Sequence, residues 1–131
     1  MTSIKTCLSL AAACTIAFTA PAAAKGVTIL YVPLDNRPVN TTYVQNTMAA
    51  AGCNVIMPPE KMIASNIANG KPDALMKWIF TKAPKADAAV ISTDSLIYGG
   101  LVASRTHNIP LATLKKRATA LIDLERALPI K

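Results

Sequence analysis

Two short apolar runs without polar–apolar alternation constrain the fold most: VTILYV at residues 27–32 and AAVI at 88–91. Such runs predict strands buried on both faces, the usual situation of strands in a parallel sheet. Each ends abruptly in polar residues. The first passes through Pro33 and Leu34 into Asp35-Asn36-Arg37-Pro38-Val39-Asn40; the second enters Ser92-Thr93-Asp94-Ser95 and continues to Tyr98, Gly99-Gly100 and Arg105. A buried strand that delivers a carboxylate, hydroxyls and pliable backbone to its C-terminal end is how α/β proteins build sites.

Helical signals separate the strands. Pro38 keeps Arg37 out of helical geometry, so residues 35–38 read as a loop. Asn40 is placed to cap a helix whose apolar positions are Tyr43, Val44, Met48 and Ala51 and which stops at Gly52. A second strand follows at Asn54-Val55-Ile56-Met57, halted by Pro58-Pro59. Lys61 to Ala64 suggests a short helix, and Asn69-Gly70 marks a turn. Pro72-Asp73 opens a helix with Leu75, Met76, Ile79 and Phe80 on one face and Trp78 off that stripe. Pro110 suits the first turn of a last helix burying Leu111, Leu114, Ala118, Leu121 and Ile122.

Alternating strands and helices define an α/β class built from parallel βαβ units. Three strands leave exposed edges and little cover for both sheet faces. The expectation is therefore the incomplete N-terminal part of a larger doubly wound or barrel-like domain, occupying residues 25–131.

Residues 1–24 read differently. Lys5 gives a short positive region, Leu8 to Phe18 an apolar stretch, and Pro21-Ala22-Ala23-Ala24 a small-residue cleavage site. That is a secretory signal peptide, which places the mature protein in the periplasm or outside the cell with no stable membrane span. Cleavage removes Cys7 and Cys14 and leaves Cys53, so no internal disulfide framework is expected. Cys53 reads as a small core residue. Fourteen basic residues become thirteen against seven acidic once Lys5 is lost. They are dispersed apart from Lys115-Lys116-Arg117, which reads as a solvated helix face. No basic stripe with interleaved aromatics appears, which argues against nucleic-acid binding.

Two readings stand beside each residue at the strand ends. Asp35 and Asp94 suit acid/base, nucleophilic or metal-binding work if their strands are neighbours, and turn or helix capping otherwise. Arg37 and Arg105 offer planar forks to a carboxylate or phosphate, or close structural ion pairs. Gly99-Gly100 either leaves amides free for an anion or makes a tight turn. Tyr98 either meets a substrate or sits at the core edge. His107 is the single histidine and reads as a loop residue; no dinucleotide, P-loop or nucleophile-elbow signature occurs. The sequence assigns no metal and no cofactor.

The segments PLDNRPVN and DSLIYGGLVASR resemble the motifs P-L-D-x-R-P-x-N and D-x-L-x-Y-G-G-L-x-x-S-R of a bacterial family catalogued as domain of unknown function 4127. The resemblance spans essentially everything after the signal peptide and implies that this chain is the N-terminal portion of a longer protein. It nominates Asp35, Arg37, Asn40, Asp94, Tyr98, Gly99, Gly100, Ser104 and Arg105 as motif positions, without carrying an established reaction.

Export and paired carboxylates together point to a hydrolase acting on envelope or extracellular carbohydrate. In it Asp35 and Asp94 would be catalytic, with Arg37, Asn40, Tyr98, Gly99, Gly100, Ser104 and Arg105 binding the substrate. The alternatives are a non-catalytic protein holding a sugar or small anion in the same crevice, and a fragment inactive alone.

Overall fold

A computed structural model describes residues 26–127; the segment read from the sequence as a signal peptide therefore lies outside the described residues. The strands form where the apolar runs predict them: β1 at Thr28–Val32, β2 at Asn54–Ile56 and β3 at Ala88–Ile91. They make one sheet in the order β2-β1-β3. Both pairings are parallel, with Leu30 opposite Ile56 on one side and Ala89 on the other. In a barrel, consecutive strands are neighbours. Here β1 is central, flanked by β2 and β3, which is how a doubly wound sheet begins.

The chain is thus a mixed α/β protein, and helices supply the connections. Helix α1 spans Thr42–Ala50 and α2 spans Pro72–Lys82. Pro72 fits the first turn of α2, where its missing N–H goes unused. The short α3 (Thr93–Ile97) and α4 (Leu101–Thr106) follow β3, and α5 runs from Leu111 to Ala127. The core lies on one sheet face, where Leu30 and Val32 of β1 meet Leu75 and Ile79 of α2, Leu96 of α3 and Leu124 of α5. Trp78, Met76 and Leu121 pack around it.

Several expectations are corrected. The strands are not closed on both faces: Leu30 and Val32 are buried, but Ile29 and Tyr31 are half-buried and Val90 is 50% exposed. Helix α1 contributes no buried residue, and its Tyr43 faces solvent. On α2, Phe80 is exposed and Trp78, off the expected stripe, packs against the core.

The inward face of α5 is also rotated from the apolar pattern. Leu111 is 65% exposed and Ile122 is 50% exposed, whereas Leu124 is buried; Ala118 is exposed as well. Arg117 turns inward to bind Asp73 of α2 and the Ile97 carbonyl, so the basic cluster is not wholly a solvated face. Residues 60–62 make only a single 3-10 turn before the chain opens into a loop. Cys53 is half-buried, outside the core.

Candidate functional site

Parallel pairing of β1 with β3 brings both polar strand ends to the same edge of the sheet. Asp35 follows β1 and is 8% exposed. Its carboxylate is surrounded by donors. The Arg37 amide reaches Oδ1 at 3.1 Å, Arg37 Nε reaches Oδ2 at 2.9 Å and Asn40 Nδ2 reaches Oδ1 at 2.7 Å. Arg37 Nη2 closes an ion pair on Oδ2 at 2.7 Å. Burial pushes the Asp35 carboxyl upward, but the hydrogen bonds from Arg37 and Asn40 outweigh it and hold the group below the usual carboxylate range. The same pairing raises the Arg37 guanidinium further above its ordinary value, so both groups stay charged. Asn40 does not cap α1 as the sequence suggested; its side chain is committed to Asp35, and Thr41 stands at the cap with its hydroxyl donating back to the Arg37 carbonyl and not capping the helix. The Asn40 carbonyl also accepts the Tyr31 hydroxyl at 2.8 Å.

Asp94 is engaged through its backbone. Its carbonyl accepts the amides of Tyr98, Gly99 and Gly100 at 3.0, 3.0 and 3.1 Å. Those two glycine amides are therefore engaged, and the reading of free amides awaiting an anion does not hold. Both glycines have positive φ, 96° and 125°, a region costly for residues with a Cβ. A side chain at Gly100 would also strike the Ala64 Cβ. The turn is tight because backbone must pass close to backbone.

Three segments wall a small crevice beside this turn: Asp35 and Arg37 after β1, the loop 64–69, and residues 99–103. Backbone hydrogen bonds lace them together. The Asn36 amide donates to the Ala64 carbonyl at 2.8 Å, and the Gly70 amide to the Gly99 carbonyl at 2.7 Å. Ser65 folds its own loop by accepting the Ala68 amide on its hydroxyl at 3.1 Å. Beneath, the Ser95 hydroxyl, 1% exposed as a residue, lies against the carbonyls of Pro33 and Leu34 at 2.7 and 3.1 Å. That contact fastens the start of α3 to the end of β1. The cavity is about 100 Å³, room for a few water molecules or one end group of a ligand.

Of the nominated residues, Asp35, Arg37 and Gly99 line the crevice. Asn40 holds Asp35, and Gly100 packs on Ala64. Tyr98 stacks obliquely on His107 with ring centres 4.8 Å apart. The Ser104 hydroxyl donates to the Leu101 carbonyl at 2.8 Å within its own helix, and Arg105 is exposed. Sequence reasoning missed Ser65, Asn66 and Asn69, which supply the polar part of the lining. The Asn69-Gly70 turn was their only local signal. Among the described residues, no three His, Cys, Asp or Glu side chains gather as a metal-binding group, and no helix is long and apolar enough to cross a membrane.

A central β1, with the chain leaving it first toward β2 and then crossing to β3, makes the gap between the ends of β1 and β3 a topological switch point. Fold and site together define a parallel α/β protein with a small crevice of mixed polar and apolar lining at that point. Residues 29–130 match the family described as protein of unknown function (DUF4127), and the chain belongs to it. No curated protein and no solved structure matches the chain.

Proposed function

We propose that the crevice binds the charged or hydroxylated end of a small ligand, a sugar or small organic anion, in an exported protein. Its position at the switch point between β1 and β3 supports this reading most strongly, because open α/β sheets hold their ligands there. The electrostatics favour holding over acid–base work at Asp35. A carboxylate saturated with donors and kept ionised has no proton to give and no lone pair turned outward. Its role is to fix the Arg37 fork. Nε and Nη2 of Arg37 lie on Asp35, and among the described residues nothing accepts from Nη1. Asn66 and Asn69 line the same crevice and would read hydroxyls. Export rests on the N-terminal signal pattern in the sequence.

Calorimetric titration with phosphate, short dicarboxylates, uronic acids and neutral oligosaccharides tests the proposal. At least one class should bind, and Arg37→Ala should weaken it roughly tenfold or more, as expected for loss of a charge-assisted contact. Unchanged affinity in Arg37→Ala, or no binding across the panel, would sink the idea.

One observation favours a second, catalytic reading: among the described residues no group donates to the half-buried Asp94 carboxylate. It stands in the first turn of α3, close in sequence to the end of β3. In a carbohydrate hydrolase Asp94 would then be the acid/base or nucleophile and Arg37 a substrate clamp. Asp94→Asn should abolish turnover of an envelope polysaccharide while leaving binding intact; equal loss of both argues for a scaffold role.

A further inference from the structure

A second cavity, about 540 Å³, lies between α2 and α5, away from the Asp35 crevice. Each helix lines it with one stripe at i, i+3, i+4 and i+7: Asp73, Met76, Lys77 and Phe80 on α2, and Thr113, Lys116, Arg117 and Ala120 on α5. Those stripes make a trough of two turns, about 10 Å long at the helical rise. Its size lies within the range of small-molecule sites.

The lining has two chemistries. Met76, Phe80 and Ala120 give an apolar wall over Leu96, and Phe80 is 43% exposed although it belongs to a helix that packs on the core. The charged groups do not balance. Arg117 and Asp73 neutralise each other through contacts of 3.1 and 3.3 Å, which leaves Lys77 and Lys116 on opposite walls as surplus cations. Both lie near one point: the Asp73 carboxyl is held low first by the hydrogen bond from Arg117, against burial, and then by the charges of Arg117, Lys116 and Lys77.

From these observations we propose that the trough between α2 and α5 binds a free single-chain amphiphilic carboxylate. Its head lies between Lys77 and Lys116, and its hydrocarbon chain covers Met76, Phe80 and Ala120. Charge complementarity selects the head, since two ammonium groups without a partner among the described residues line a cavity whose single lining carboxylate is already bound. The apolar wall selects the tail. The site shares no lining residue with the Asp35 crevice and stands or falls independently of it.

The probe is decanoate below its micelle-forming concentration, titrated into the isotopically labelled chain and followed by amide chemical shifts. Expected are saturable shifts confined to residues 73–80 and 113–120. Binding of decanol, and of decanoate to the double variant Lys77→Glu/Lys116→Glu, should be weaker by roughly tenfold, the worth of two exposed ion pairs. Both lysines are exposed, so the variant should retain its melting temperature. Ala120→Trp, which fills the trough, should abolish the response. The proposal is overturned if decanol binds as tightly as decanoate, or if shifts spread over the basic surface generally. It is equally overturned if only anionic lipid vesicles or an acidic amphipathic peptide perturb these residues.

Discussion

Asp35 gathers four contacts on one carboxylate: the Arg37 amide, Nε and Nη2, and Asn40 Nδ2. The sequence puts these residues two and five positions apart in a loop rigidified by Pro38, so short-range geometry alone lets them meet. Because the folded carboxyl titrates below its ordinary value, folding is favoured while it is ionised. Its stabilisation is therefore complete above the unfolded value of about 3.9 and is lost as pH falls through that value toward the lower folded one. Urea unfolding measured from about pH 7 to about pH 3 should show this acid limb. Asp35→Asn should flatten most of it and lower stability at neutral pH by about 1–3 kcal/mol, the cost of losing hydrogen bonds to a charged buried group. A smaller limb should persist from Asp73, whose carboxyl is also lowered, first by the hydrogen bond from Arg117. That pair is solvent-exposed on the Asp73 side and contributes little. An unchanged acid limb in Asp35→Asn would contradict the assignment.

Helix α5 shows how an element's own pattern misleads about its orientation. Apolar periodicity offered Leu111, Leu114, Ala118, Leu121 and Ile122; Leu121 does pack on the core, but Leu111, Ala118 and Ile122 are exposed, the buried contact is Leu124 and the helix rolls to bring Arg117 inward. Anchoring Arg117 to the Ile97 carbonyl and Asp73 fixes the rotation, and neither partner is near α5 in sequence. Leu124→Ala should cost about 2–5 kcal/mol by emptying core volume. Ile122→Ala and Leu111→Ala should stay within about 0.5 kcal/mol, as at exposed sites. Chemical denaturation of the three variants checks the rotation; equal losses at positions 122 and 124 would refute it. The short helices α3 and α4 were not foreseen because they are too brief to show periodicity. Their ends are set by Ser92, whose hydroxyl accepts the Ser95 amide, and by the two glycines packed against the loops at 64 and 70.

For the molecule as a whole, stability should be graded across the sheet. β1 is hydrogen-bonded on both sides and carries Leu30 and Val32 into the core, whereas β2 has three residues, none of them buried. Amide hydrogen exchange should therefore be slowest in β1, with β3 next and β2 fastest of the three, since local opening follows burial and pairing. Uniform rapid exchange through all three strands would show that this chain does not hold its sheet closed.

What the sequence by itself determined is local: two unalternating apolar runs, helices between them, and the Asp35-Arg37-Asn40 loop, all set by neighbours in the chain. Parallel α/β class follows from that alternation. Tertiary structure decided the rest. It set the order β2-β1-β3, which makes the ends of β1 and β3 meet, and it brought Ser65, Asn66 and Asn69 into one crevice with Arg37. It also decided between the two readings of Gly99 and Gly100, making them a packed turn on Asp94 and not free donors. These depend on contacts between residues tens of positions apart, which local periodicity and propensity do not encode. The energy that selects them comes from burying one sheet face and pairing backbone groups across loops.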